Sequence, residues 1–276
     1  MSRIGRGGSL LVGMALTVIL CGGVQAEDLP SRPSIKASAL YLVELKSGRV
    51  LLEKDAARRL PPASLTKIMT ALVALESAPL QQVVKIDSRA LAHPSSLKFQ
   101  AEEEFLLRDL LTAMLVSSAN DACEAVAWHL GGNADRFVAM MNKRARALGL
   151  KNTHFANACG FDAPDHYSTA ADLAKLTEKA LQVPVFSMMV RTIVRDIASV
   201  DGKRQMSLHS TNELLLDPDV NGVKTGYTSN AGRCLIASMF KDGHRLLLVG
   251  LNVMDEWEQA TRLLRYGQAV LQGTNG

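Results

Sequence analysis

Three short segments of this 276-residue chain carry side chains suited to acyl chemistry: Ser64-Leu65-Thr66-Lys67, Ser118-Ala119-Asn120 and Lys224-Thr225-Gly226. A serine hydroxyl becomes an effective nucleophile only when a base beside it takes its proton. On a helix, residues i and i+3 share a face, so the spacing predicts that Ser64 Oγ and Lys67 Nζ lie within hydrogen-bonding reach. Lysine can act as that base only if burial and neighbouring cations lower its pKa toward neutrality, and Lys224 is a candidate cation. Taken singly the segments say little. Ser-x-x-Lys arises about once by chance in a chain of average composition, and Lys-Thr-Gly in about one chain of this length in twenty. A serine opening Ser-x-Asn is an ordinary helix cap. Their joint occurrence, in one order and each at the boundary of an element, argues for a site.

The elements that must position these residues are legible from periodicity. Ala39–Leu45 and Arg49–Glu53 read as a β-hairpin across Lys46-Ser47-Gly48. Pro61-Pro62-Ala63 interrupts the chain, and Ser64 to Glu76 carries Leu65, Ile68, Met69, Leu72 and Leu75 at helical spacing, with Ser64 at the helix start. Helices are predicted over Phe105–Ser117, Ala119–Leu130, Ala134–Leu148 and Ser168–Leu181, with Gly131-Gly132 and Gly149 as stops. Val220–Thr228, Arg233–Phe240 and His244–Val253 read as strands, the last two joined at Lys241-Asp242-Gly243, and Trp257–Leu271 as a closing helix. Two strands early and three late most simply form one antiparallel five-stranded sheet flanked by helices, an α/β (α+β) arrangement. The expected organisation is a sheet subdomain, residues 27–80 and 215–276, with an inserted helical subdomain, residues 81–214. The cleft between them is the natural ligand site.

Composition narrows the setting. Residues 1–26 place Arg3 and Arg6 before an apolar run from about Leu10 to Cys21 and a small residue, Ala26, ahead of Glu27. That is the layout of a secretory signal peptide, and the run is shorter than the roughly 20 residues a membrane span needs. Its removal lowers the net charge from +4 to +2. So small a balance argues against nucleic acid and against a charged membrane surface. The tail from Gln268 lacks the shape of an anchor helix, so no stable membrane anchor and no additional C-terminal β domain are expected. Cys123, Cys159 and Cys234 are spaced as neither a metal site nor a disulfide-dense scaffold, and an odd count leaves at least one thiol free. Cys123 reads as a small buried apolar residue in preference to a reactive thiol. The six histidines show no i, i+4 pair, so neither a metal nor another cofactor is expected.

The set resembles the low-molecular-mass penicillin-binding proteins, the serine D-alanyl-D-alanine carboxypeptidases and their endopeptidase relatives. Pro62–Thr70, Ser118–Cys123, His166–Ala170 and Gly222–Thr228 all look like this family and are spread over nearly the whole mature chain. The resemblance implies a penicillin-binding, serine β-lactamase-like fold and an exported hydrolase of the periplasmic or cell-wall space. Such an enzyme takes peptidoglycan stem peptides as substrates, serves cell-wall organisation and cell shape, and is acylated by β-lactam antibiotics. By the same resemblance Ser64 is the acylated nucleophile, Lys67 its base and Ser118 a proton relay to the leaving amine. Asn120 would hold Lys67 and the substrate amide, Lys224 would supply positive potential, and Thr225 would donate to the substrate carboxylate. Gly226 would leave room for the acyl substrate along the strand edge, and the N–H groups of Ser64 and Tyr227 would form the oxyanion hole. His166 and Asp172 are expected to organise a helix start, and Trp257 to face the sheet. At Asn157-Ala158-Cys159-Gly160 the family more often carries Pro-His-Gly, a departure expected to alter only a local loop.

Other readings remain open on these residues. A class A β-lactamase shares the motif order, but no Glu-x-x-Leu-Asn loop lies between Asn120 and Lys224. A silent peptidoglycan-binding module need not retain Ser64, Lys67 and Lys224. Between carboxypeptidase and endopeptidase, the neighbourhoods Ser118–Cys123 and His166–Ala170 favour the carboxypeptidase.

Overall fold

A computed structural model describes residues 31–273. The expected signal peptide lies outside the described residues. In chain order the elements are β1 (Ala37–Glu44), β2 (Val50–Lys54), α1 (Lys67–Ser77), β3 (Val83–Lys85), β4 (Glu104–Leu106), α2 (Leu107–Val116), α3 (Asn120–Gly131) and α4 (Ala134–Ala147). They continue as α5 (Ala170–Leu181), α6 (Pro184–Val190), β5 (Val194–Ala198), β6 (Gln205–His209), β7 (Val220–Thr228), β8 (Gly232–Lys241), β9 (His244–Val253) and α7 (Glu256–Gln272).

The central sheet has the order β2-β1-β9-β8-β7 with every pairing antiparallel, so the N-terminal hairpin joins the C-terminal meander through β1 and β9. Alternation along the strands builds two cores. In β9, Leu247, Val249 and Leu251 face the helical side, while Leu246 and Leu248 face α7. A strand covered on both faces reads as a continuous apolar run, which is the sequence of β9. The β8–β9 turn is Asp242-Gly243, with φ of 49° and 79° at the two residues, the twist a two-residue hairpin demands. On the outer face α7 buries Leu263, Leu264 and Leu271 against the sheet.

The helical side is a single core continuous with the sheet. Helix α1 is its centre, apolar nearly all round and packed against α2, α3, α4 and α5. Helix α5 lies across β1 and β9, and α6 leans on β7. Each stop predicted from glycine is visible: Gly132 ends α3 at φ 72° and Gly149 follows α4 at φ 68°. The structure adds two small two-stranded antiparallel sheets, β3–β4 and β5–β6, and the short helix α6. Strand β4 takes Phe105 and Leu106 out of the predicted helix, because Leu106 pairs with Val83 and holds an extended ψ of 144°.

Candidate active site

Ser64 does not open the α-helix directly. It sits in a 3-10 turn, Ala63–Thr66, and α1 begins at Lys67. The cause lies just upstream, where Pro62 holds φ at −85° and Ala63 takes φ at +48°, a conformation rare for a residue with a side chain. Two glycines make room for that bend. A side-chain carbon on Gly160 would stand 1.9 Å from the Ala63 carbonyl oxygen, and one on Gly226 would stand 2.7 Å from Ser64 N. The turn is thus wedged between strand β7 and the 157–161 loop, which fixes the Ser64 hydroxyl at the cleft floor.

Lys67 is fully buried directly beneath it. Its Nζ donates to Ser64 Oγ at 2.8 Å, to Asn120 Oδ1 at 2.9 Å and to the Cys159 carbonyl oxygen at 2.8 Å. Burial holds its pKa well below the ordinary lysine value, and the charge of Lys224 lowers it further, against the opposing carboxylates of Glu124 and Asp121. Lys224, 1 % exposed on β7, donates to Ser118 Oγ at 2.9 Å and to the Thr225 carbonyl at 2.8 Å. Burial brings it down to about 7. Ser118 lies in the bend between α2 and α3 at φ 57°, a left-handed position that turns its hydroxyl toward Lys224. Thr225 and Thr211 share a hydrogen bond of 2.6 Å between their hydroxyls. Ser64, Ser118, Asn120, Thr225, Gly226 and Tyr227 all line one cleft of about 350 Å³, joined by Thr211, Arg233 and Trp257.

A serine backed by a buried amine of lowered pKa, facing a second lysine–serine pair, matches a known family along most of its length. The family model for D-alanyl-D-alanine carboxypeptidase matches residues 26–255. The chain belongs to this family. D-alanyl-D-alanine carboxypeptidase DacD of Escherichia coli is 36% identical over 281 residues, covering 94% of this chain and 71% of that protein. D-alanyl-D-alanine carboxypeptidase DacF of Bacillus subtilis is 33% identical over 270 residues, covering 94% and 69%. Among solved structures, the Streptomyces K15 DD-transpeptidase superposes with a TM-score of 0.81 at 29% identity, covering 87% of this chain and all of that one.

This carboxypeptidase-family site departs from the sequence reading in three places. The Asn157–Gly160 segment is part of the cleft wall and not a peripheral loop: Cys159 O holds Lys67, and Gly160 abuts Ala63. Asn157 Oδ1 shapes it by accepting from the N–H groups of Cys159, Gly160 and Phe161. Cys123 is neither a lone apolar filler nor a reactive thiol, because it is joined to Cys159 by a disulfide, leaving Cys234 free and buried. Third, His166 does not organise a helix start. Its Nδ1 accepts from Ala156 N–H at 3.0 Å while its Nε2 meets Thr66 Oγ1 at 2.8 Å. Burial, with His154 nearby, brings His166 down to about 4, so it stays neutral and pins the 3-10 turn that carries Ser64. The cap of α5 is Thr169, and Asp172 does take part in that helix start, its N–H donating to Thr169 Oγ1 while its carboxylate accepts from Asn152 N–H and Thr153 Oγ1. Trp257, where α7 begins, is partly buried against the apolar cluster on the outer face of the sheet, as expected, and also reaches the cleft rim. Among the described residues no group of three acidic, histidine or cysteine side chains is placed to hold a metal, and no helix is long and apolar enough to cross a membrane.

Proposed function

We propose that this chain is a serine D-Ala-D-Ala carboxypeptidase that removes the terminal D-Ala from peptidoglycan stem peptides through an acyl-enzyme on Ser64. The observation that carries the proposal is the 2.8 Å contact between Ser64 Oγ and the Nζ of a fully buried Lys67. In its neutral form Lys67 takes the hydroxyl proton as Ser64 attacks the carbonyl of the penultimate D-Ala. The Ser64 and Tyr227 N–H groups receive the developing oxyanion, each such donor contributing roughly 2.7–4 kcal/mol in other serine enzymes. The proton passes through Ser118 to the leaving nitrogen, D-Ala departs, and water hydrolyses the ester. Lys224 supplies positive potential and Thr225 donates to the terminal carboxylate. Asn120 holds Lys67 and the substrate amide, and Gly226 keeps the strand edge clear for the acyl chain.

A β-lactam occupies the same cleft and acylates Ser64, and without a dedicated water-activating glutamate its ester is released slowly. We also place the enzyme outside the cytoplasm, in the periplasmic or cell-wall space, after cleavage of residues 1–26. The Cys123–Cys159 disulfide supports this, since disulfides persist in oxidising compartments. Its partners are wall peptides and β-lactams.

The test is incubation of pure protein with a pentapeptide monomer and with a crosslinked dimer. Release of D-Ala from the monomer with the crosslink intact is expected. Cleavage of the dimer without D-Ala release would assign the endopeptidase reaction instead, and no turnover of either would remove the enzyme reading.

A further inference from the structure

We infer that the Cys123–Cys159 disulfide is a positioning element for Lys67, tying together the two groups that take up the hydrogens of its amine and so aiming the lone pair at Ser64. The inference rests on the reading of Lys67 as the base. A neutral primary amine has two N–H bonds and one lone pair in tetrahedral directions. Two acceptors surround Lys67 Nζ besides Ser64 Oγ: Asn120 Oδ1 at 2.9 Å and Cys159 O at 2.8 Å. If both hydrogens go to them, the remaining direction points at Ser64 Oγ, 2.8 Å away. If either acceptor drifts, the amine can rotate a hydrogen toward Oγ, and that orientation cannot accept a proton.

The two acceptors come from distant parts of the chain, and the disulfide joins cysteines 36 positions apart. Cys123 lies on the first turn of α3 with Asn120, while Cys159 itself contributes the second acceptor through its own carbonyl. One support is the first turn of a helix, where Asn120 N–H donates to Ser95 Oγ and its Nδ2 to the Pro94 carbonyl. The other is a loop, and the disulfide is the covalent link between them. Helix α3 starts at Asn120 without a side-chain cap, and the Cys159 segment is neither helix nor strand. Both cysteines are buried, at 0% and 1% exposure, so the link lies inside the wall of the site and not on the surface.

Peptide mapping of the exported enzyme, alkylated without reduction, should recover Cys123 joined to Cys159 and only Cys234 alkylated. Recovery of Cys123 and Cys159 as alkylated thiols from fully active enzyme overturns the proposal without any variant. The second arm compares wild type with Cys123→Ala/Cys159→Ala, and with Cys123→Ser/Cys159→Ser if the first does not fold. Acylation by a fluorescent penicillin is followed across pH and normalised to the sites that can be titrated. Loss of the link should lower the acylation rate constant at least about tenfold, part of the 10²–10⁴ that a positioned base contributes, and should shift its pH profile, while reversible penicillin binding holds. An unchanged rate constant per titrated site, with only a lower melting temperature, makes the disulfide merely structural and defeats the inference. Wild type that is never labelled is a different result, one that removes the base and nucleophile reading itself.

Discussion

Lys224 Nζ on the sheet donates to Ser118 Oγ on the helical side at 2.9 Å, closing the cleft with a bond between two residues 106 positions apart. Across the same cleft Lys67 makes the matching contact with Ser64. Two buried lysines therefore address two hydroxyls, and mutual repulsion disfavours both being charged at once.

Stability should rise with pH because of this pair. Both lysines have folded pKa values below their unfolded ones, so between those values the unfolded chain binds more protons and stability increases as pH climbs. For Lys224 the window runs from about 7 to the ordinary 10.5. Calorimetry from about pH 7 to pH 9 should show a rising melting temperature whose slope is smaller in Lys224→Met. That variant should also melt higher at about pH 7, by about 2–4 °C for each kcal/mol relieved. A variant that melts lower and keeps the wild-type slope would show that Lys224 is not held at a depressed pKa.

Lys67→Arg keeps the positive charge but cannot surrender a proton. Penicillin acylation should fall by about 10²–10⁴, the range a general base contributes. Stopped-flow labelling decides it, since near-normal acylation by the arginine variant would mean that charge alone suffices.

Gly160→Ala tests the wedge behind Ser64. The added carbon would meet the Ala63 carbonyl at 1.9 Å, and the residue must hold φ at 91°. An unfavourable backbone region alone costs of order 1–3 kcal/mol. The variant should lose both melting temperature and acylation, whereas Gly202→Ala, at a positive φ with open space around it, should lose at most stability. Acylation at the wild-type rate in Gly160→Ala would mean the turn does not depend on this contact.

How much of this was readable beforehand follows from what each contact is made of. The Ser64–Lys67 approach came from a spacing of three, and it survived even though the first turn is 3-10, because both helices bring i and i+3 onto one side. The five strands came from short apolar stretches, alternating or continuous, bounded by turns such as Asp242-Gly243. Cys159 was missed as a site residue because its contribution is a backbone carbonyl, which leaves no mark in residue type. Its disulfide to Cys123 joins positions whose proximity depends on the packing of α3 against the 157–161 loop. The strands β3 and β4 are three residues long, too short for a period to register. Thr211, which bonds Thr225, lies in a connecting segment without periodicity.

Thr225→Val removes a hydroxyl at nearly constant volume. A hydrogen bond to a charged group contributes roughly 1.5–3 kcal/mol, so turnover of a substrate ending in a carboxylate should fall about ten- to a hundredfold. The structure adds that Thr211 is the partner of this hydroxyl in the free enzyme. Turnover of the amidated substrate should fall less. Equal losses on both substrates would withdraw carboxylate recognition from Thr225.

The central claim is that Ser64 is the acylated nucleophile. Intact-protein mass spectrometry after benzylpenicillin treatment, followed by peptide mapping, measures it directly. A single penicilloyl group on the peptide containing Ser64, absent in a folded Ser64→Ala variant, is the predicted result. A penicilloyl group on any other residue, or undiminished acylation of Ser64→Ala, would contradict it.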